Sequence, residues 1–533
     1  MIRKSSIQNR SVATCLCRVS NTGYASSIIE AIISPATFSL YGTQVTQHTP
    51  KYPHPNSHYQ PFTTKAFMMI KFIATDVSNS ILEGRLDQKL TLTQKMGWGL
   101  ADMGVVVFVI VKQLLVLSFL TNYLGVNVAL AGVITTSILV FDIVSDPIIG
   151  YLSDRTNTRW GRRAPWMVIG ALILAIGQIG IFGVPYFESE TSILIWVASF
   201  FALSTLGFTM VAIPYGATAG EITYEPKERS TLMGFRMAFA SLGILIGGAV
   251  IPQLAGGTRE GHFFAALMIA PVIVISIWFS VWTTRKAPKH STPNAMNFPA
   301  MISTVWRNKP FIHLVFLYGI MTMGIATITA GLPFAALYLM TDNQSTALSF
   351  LSSSLGILSF LFAAFVLGAM LSQVLWVYAS DVLGKAKALI CGLSLYILLL
   401  FVIFVSLPSD NITTMFMLFF LAGVTNGAYQ QIPWAMYPDF MDSTRINQQQ
   451  SIEGAFSAFW LFGQKIANAL APGFLAIVLG IYGYNSATGD KVEQPEQALV
   501  ALKSLVTLVP AAFLFFAVVG LWCLNKSIRS NET

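Results

Sequence analysis

From Gly97 to the C-terminus the chain is a succession of long apolar stretches separated by short polar breaks. No other feature constrains its fold as strongly. A soluble core has no room for many such runs, whereas a helix of about 20 apolar residues spans the hydrocarbon of a bilayer. The stretches fall near 97–122, 129–153, 165–185, 192–216, 231–255 and 263–283, and again near 311–340, 346–379, 387–407, 412–436, 451–481 and 500–525. Of the 533 residues, 54% are hydrophobic and 11% charged, against about 45–50% and about 25% in soluble domains. The expected fold is an all-α polytopic membrane protein, with twelve transmembrane helices in two pseudo-symmetric six-helix bundles.

The expected divisions are a polar N-terminal extension (1–93), a first bundle (94–283), a linker (284–310), a second bundle (311–525) and a tail (526–533). The extension is rich in Ser, Thr, His and Pro and has no acidic residue before Glu30. It reads as a disordered tail, or as sequence upstream of a start near Met68 or Met69; an Arg- and Ser-rich, acid-poor segment also has the character of a transit peptide. The linker carries Arg285, Lys286, Lys289, Arg307 and Lys309.

Cations in short loops orient such a chain. One set of loops, with the linker and tail, holds Arg155, Arg159, Arg162, Arg163, Lys227, Arg229, Lys385, Lys387, Arg445, Lys526 and Arg529, besides the five linker cations. The opposite set holds Arg259, Lys491 and Lys503. Both termini are therefore expected in the cytoplasm, with the protein in the cell (inner) membrane. The formal net charge of +8 is explained by this asymmetry, so the lipid bilayer is the expected partner and nucleic acid is not. A monomer is expected.

The halves echo each other. Ser153-Asp154, before Gly161-Arg162-Arg163, has a counterpart in Ser380-Asp381 before Gly384-Lys385. Ile213-Pro214-Tyr215 is matched by Ile432-Pro433-Trp434. Weak internal symmetry of this kind marks transporters built from repeated bundles.

A charge at mid-bilayer costs at least about 2.5–3.5 kcal/mol, so it needs a partner, a wet cavity or a function. Asp142 and Asp146, spaced i,i+4 with Ser145 beside them, share one helix face. Two like charges so close repel unless a cation sits between them, and hard cations take oxygen ligands of this kind. The alternative is a pair that anchors the loop at the helix end. Lys112, within VVVFVIVKQLLVLSFL, lies too deep to snorkel and faces the cavity or an acid on a neighbouring helix. Lys465, within FWLFGQKIANALAPGF, is expected in the cavity. Arg236 fits cavity lining and end anchoring equally well, and Asp102 is read as interfacial. Thr209, Asn426, Gln430, Gln431, Gln464 and Asn468 are polar residues inside helices, accompanied by Trp376, Tyr378, Tyr429, Trp434 and Trp460.

Patterns of catalysis are missing: the sequence holds no Walker-type phosphate loop, HExxH or GxSxG. Cys15, Cys17, Cys391 and Cys523 fit no disulfide framework or metal cluster. A secondary transporter without an organic cofactor is expected, not an enzyme.

The run from Phe141 to Trp166, FDIVSDPIIGYLSDRTNTRWGRRAPW, resembles the signature of the glycoside-pentoside-hexuronide:cation symporters, the melibiose permease branch of the major facilitator superfamily. IPYGATAGEITYEPKERSTLMGFRMAFASLG (213–243) looks like the second family segment, and QKMGWGLADMG (94–104) like the opening of its first helix. The resemblance implies a major facilitator fold and symport of a small sugar with Na⁺ or H⁺. It implies that Asp142 and Asp146 hold the coupling ion, with Ser145 at an asparagine position and Thr209 at a threonine ligand. Arg236 matches an arginine near the sugar and Lys465 a functionally important lysine of the eleventh helix, and with Lys112, Tyr215 and Trp434 they are the candidate substrate-binding residues. Asp154, Arg162 and Arg163, opposite Asp381, Lys385 and Arg445, form the expected cytoplasmic ion-pair latch.

Val106, Ala212 and Gly216 depart from melibiose permease, where two aspartates and a galactose-stacking tryptophan stand. With three intramembrane cations, Lys112, Arg236 and Lys465, the chain is better suited to an anionic sugar. Transport of a lysolipid or other amphiphile, and a non-transporting sensor, are the alternatives.

Overall fold

The computed structural model describes residues 90–532 except 224–225, 288–302, 304, 345–347, 449–452 and 490. Most of the expected extension 1–93 and linker 284–310 therefore lies outside the described residues. All the described helices belong to one compact unit, Ile81–Thr533.

The first half contains α1 (Leu92–Asn122), α2 (Val128–Arg155), α3 (Ala164–Phe182), α4 (Glu190–Ile222), α5 and α6 (Arg259–Thr284). Local signals set the helix starts. The Thr91 hydroxyl accepts from the Gln94 N–H while the Gln94 side chain accepts from the Thr91 N–H, a reciprocal cap for α1. Asn127 caps α2. In α5, the α-helix Pro226–Leu245 passes into a π-helical turn, Ile246–Val250, and resumes at Ile251–Ala255. Pro252 has no N–H to give to the Gly248 carbonyl four residues back, and the wider turn absorbs that missing bond.

The second half contains α7 (Lys309–Tyr338), α8 in three pieces (Ser349–Leu355, Ile357–Leu371 and Gln373–Leu383), α9 (Lys385–Ser406), α10 (Ile412–Gln448), α11 (Glu453–Ile481) and α12 in two pieces (Glu496–Val506 and Leu508–Glu532). The stretch 346–379, expected as one helix, is broken into the three pieces of α8. The chain bends by 110° between Ser349–Leu355 and Ile357–Leu371, because Gly356 has φ +76°, outside the helical region and open to glycine. The α12 break at Thr507 precedes Pro510, whose ring excludes a regular helix through the preceding turn. The helix then runs through the expected tail to Glu532.

Among the described residues, eleven helices are long and apolar enough to cross a membrane, or twelve when the bent pair in α8 counts as one span. One core runs through both halves, with Trp98, Phe108, Phe119 and Phe201 buried in the first and Phe311, Tyr318, Phe334 and Trp460 in the second. Ile275, Trp282, Val405 and Phe516 face outward and are well over half exposed, as a surface bathed in lipid tails requires. The halves meet along α2 against α11, α5 against α8, and α1 against α7.

Candidate functional site

Helix α2 presents Asp142 and Asp146 one turn apart toward α4 and α11. The Lys465 ammonium forms an ion pair with Asp146 Oδ2 and stands 3.7 Å from Asp142 Oδ1. Thr209 Oγ1 on α4, itself fully buried, donates to Asp146 Oδ1 at 3.0 Å. The Asp142 side chain is 7% exposed, against 23% for Asp146 and 26% for Lys465. At an effective dielectric near 20, opposite unit charges 3.7 Å apart attract by about 4 kcal/mol before desolvation is subtracted. Asp142 Oδ1 is buried with no hydrogen-bond partner, so one oxygen of the pair retains unused acceptor capacity.

An aromatic wall bounds this group. Lys112 Nζ lies 5.7 Å from the ring centroid of Phe108 and 5.9 Å from those of Phe201 and Phe208. Lys465 Nζ is 5.6 Å from Phe208. Lys112 and Lys465 thus meet the same Phe208 ring. Ser145 does not join the ionic group: its hydroxyl is 3.4 Å from the backbone oxygen of Asp142 on its own helix. Lys465, expected in the cavity and a candidate for substrate binding, sits at the carboxylates.

A second ionic centre lies on α1, α4 and α5. Arg236 Nε stands 3.2 Å from Asp102 Oδ2, with 28% and 5% of the two side chains exposed. The reading of Asp102 as interfacial is therefore corrected: it is a buried counter-ion, and Arg236 is no simple end anchor. The signal was available, since an arginine inside a membrane helix calls for an acid. The Arg236 guanidinium carbon is 5.6 Å from the Tyr215 ring centroid. Tyr215 stacks on Trp98 at 4.8 Å, and its hydroxyl is buried without a hydrogen-bond partner. Trp98 is held by a bond from Nε1 to Thr218 Oγ1 at 3.0 Å. A Cβ built on either Gly216 or Gly234 would meet nothing within 4 Å, so these neighbouring stretches of α4 and α5 face open space.

In the second half, Trp434 meets Trp460 edge-on (5.9 Å, 72°) and Tyr437 likewise (6.1 Å, 81°). Trp460 stacks with Tyr318 at 4.1 Å and with Tyr437 at 5.3 Å. Tyr429 shares a 2.9 Å hydrogen bond with Thr322. Trp376 donates to the Val424 carbonyl and is buried, while Tyr378 is exposed.

The expected latch is redrawn. Lys385 bonds Asp439, at 2.6 Å, and the Ala435 carbonyl of α10, at 2.9 Å. Asp381 is four residues away, but the helix ends at Leu383 and α9 starts anew at Lys385, which turns the lysine toward α10. Asp439 was missed by sequence reasoning. Arg163 donates to Ser153 at 3.0 Å within the first half, and Arg162 and Asp381 are exposed. The side chains of Asp154 and Arg445 lie outside the described residues.

Among the described residues no cluster of three or more His, Cys, Asp or Glu could hold a metal. The oxygen donors available to a cation at the α2 site are the two carboxylates and the Thr209 hydroxyl.

The family model described as MFS/sugar transport protein matches residues 97–525. The chain is similar to the inner membrane symporter YicJ of Escherichia coli K12, 25% identical over 438 residues, covering 81% of this chain and 91% of that one. It is equally similar to the glucuronide carrier protein homolog of the same organism, 25% over 458 residues with 82% and 93% covered. The sodium-dependent lysophosphatidylcholine symporter 1 of Xenopus tropicalis is 25% identical over 460 residues, with 78% and 84% covered. In fold, the chain resembles a bacterial homolog of the human lysosomal transporter Spinster, with TM-score 0.54, 15% identity, and 82% and 96% covered.

Proposed function

The chain belongs to the MFS/sugar transport protein family, and from that membership we propose that it is a cation-coupled symporter that carries a small sugar by alternating access. It is a multi-pass membrane protein and a secondary transporter. Its two halves, taken as 94–283 and 311–525, rock about a midplane site. The cation asymmetry of the loops supports cytoplasmic termini and an inner-membrane location.

One observation carries the coupling mechanism: Lys465 occupies the carboxylates that a coupling ion would need. Lysine and ion cannot neutralise Asp146 at the same time. In the arrangement described, Lys465 acts as a tethered cation. Na⁺ or H⁺ arriving at Asp142 and Asp146 displaces it, and the freed ammonium turns toward the cavity between the halves. Thr209 Oγ1 stays beside Asp146 as a neutral oxygen ligand, and Ser145 adds a hydroxyl only if it leaves its own helix carbonyl. Sugar binding that engages the released lysine raises ion affinity, and by linkage the ion raises sugar affinity by the same factor.

The sugar is an anionic one, such as a hexuronide. Arg236, partly exposed beside the unpartnered Tyr215 hydroxyl, offers a planar fork for a carboxylate. The glucuronide carrier relative supports this reading. The lysophosphatidylcholine symporter at equal identity supports a lysolipid as the second reading.

Uptake into proteoliposomes tests both. A panel of neutral glycosides, glucuronides and lysolipid is assayed with Na⁺ present or absent and at several external pH values. Accumulation of a glucuronide driven by Na⁺ or by H⁺ supports the proposal. Strong uptake of a neutral glycoside or of lysolipid with no uronide uptake overturns the substrate class, and no flux of any kind overturns symport.

A further inference from the structure

The loop between α11 and α12 crosses from the second half to the first at the end of the molecule away from the linker. Tyr484 Oη donates to Asn122 Oδ1 at 2.6 Å and Ser486 Oγ to the Val126 carbonyl at 2.7 Å. The backbone N–H groups of Ala487 and Gly489 donate to the carbonyls of Thr121 and Asn122 at 2.8 and 2.9 Å. These four bonds cap the last residues of α1 and the turn before α2, whose carbonyls have no partner within their own helix.

Both ends of this connection are built in. Asn122 is 3% exposed, and its amide is held by a 3.0 Å bond from Nδ2 to Ser118 Oγ, which leaves Oδ1 free for Tyr484. Tyr484 is 7% exposed and packs edge-on against Phe334 (5.5 Å, 76°) and Tyr338 (5.9 Å, 88°) of α7. The loop is closed on itself by Gln494, which accepts from the Asn485 N–H and donates to the Asn485 carbonyl, both at 2.8 Å. A second tie, from Gln253 Nε2 of α5 to the Ser354 carbonyl of α8 at 2.6 Å, joins the halves on the other side of the seam. At the linker end, the pairs Lys95–Glu228 and Lys385–Asp439 each join helices of one half.

We infer that residues 482–489 form a strap, with Tyr484 on Asn122 as its clasp, that holds the outer end of the transporter shut and must unfasten before the site can open outward. The inference rests on the alternating-access reading but not on the identity of solute or ion. A strap of neutral hydrogen bonds suits a gate that opens in every cycle, because each bond contributes only modestly against water.

The test uses full-length protein with Cys15, Cys17, Cys391 and Cys523 replaced by Ser and a single reporter, Thr136→Cys. Thr136 lies on α2 against Gly473 of α11, between the halves. Its labelling by a membrane-impermeant maleimide is followed in intact cells and in inverted vesicles, so that the result does not depend on the orientation assigned. Tyr484→Phe keeps the ring packing and removes only the hydroxyl. It should speed labelling from one side by about 2- to 10-fold, the population shift expected for one neutral hydrogen bond, and Tyr484→Phe/Ser486→Ala should speed it further. Acceleration in inverted vesicles rather than cells would overturn the orientation and leave the strap standing. Unchanged labelling from both sides in the double variant, with protein that remains monodisperse, would overturn the strap. Uptake is scored separately, so a failure of the symport reading shows as absent flux with the labelling shift intact.

Discussion

Lys465 and Asp146 lie 319 residues apart in the chain, yet the ammonium of one is ion-paired with the carboxylate of the other, with Asp142 3.7 Å away. This places a fixed cation on the carboxylates proposed to hold the coupling ion. Removing the fixed one should therefore change ion binding more than it changes folding.

Lys465→Ala is expected to raise apparent affinity for the coupling ion by about tenfold or more, because the competing charge is gone and two carboxylates are left to share one ion. Concentrative uptake should fall, since ion binding no longer releases a lysine for the sugar to engage. Asp142→Asn and Asp146→Asn should each abolish accumulation while leaving expression intact. Isothermal titration with Na⁺, and ion-gradient uptake in proteoliposomes, check these outcomes. Retained ion-dependent accumulation in both asparagine variants would refute the assignment.

The Asp102–Arg236 pair predicts strong non-additivity. Asp102→Asn leaves a largely buried guanidinium without its counter-ion and should cost about 2–3 kcal/mol, less than for a fully buried pair because 28% of the arginine side chain reaches solvent. Asp102→Asn/Arg236→Gln removes both charges and should recover at least about 1 kcal/mol of that loss. Thermal unfolding of the four proteins in one detergent completes the cycle, and additive losses would contradict the pairing.

Arg236→Lys keeps the charge and discards the planar fork. For an anionic sugar KM is expected to rise about tenfold or more, whereas any residual uptake of a neutral glycoside should change little. Equal effects on both substrates would mean that Arg236 supports the fold and does not read the carboxylate.

Two glycines on helices α4 and α5 should respond oppositely to alanine. A Cβ on Gly216 meets nothing within 4 Å, so Gly216→Ala should change stability by less than about 0.5 kcal/mol. A Cβ on Gly248, in the π-helical turn, would collide with the Phe362 ring of α8. Gly248→Ala should cost about 1–3 kcal/mol through overpacking and slow the cycle, since α5 and α8 meet across the seam between the halves. Melting temperatures and uptake rates measured side by side test the contrast.

Most of the charged residues of the candidate site were legible before any coordinates. Asp142, Asp146, Lys112, Arg236 and Lys465 stood out because charge is scarce in an apolar chain and costly in lipid. Their partners were less visible. Asp102 looked interfacial by its distance from the helix start, and its role depends on α5 bringing Arg236 against α1. Asp439 carried no signal in the sequence, because only the break between α8 and α9 turns Lys385 away from Asp381. The bend at Gly356 was hidden in a stretch apolar enough to read as one span.

The sequence by itself determined that the chain crosses the membrane many times, that it does so in two related halves, and which residues besides Asp102 carry charge into the helices. Those properties depend on local apolar length and on the free energy of a charge in hydrocarbon, both of which are set residue by residue. Tertiary structure decided which charges neutralise each other, that Lys465 sits on the carboxylates of α2, and that the α11–α12 loop ties the two halves together. Those relationships depend on helix rotation and on contacts between segments hundreds of residues apart, which no local pattern encodes.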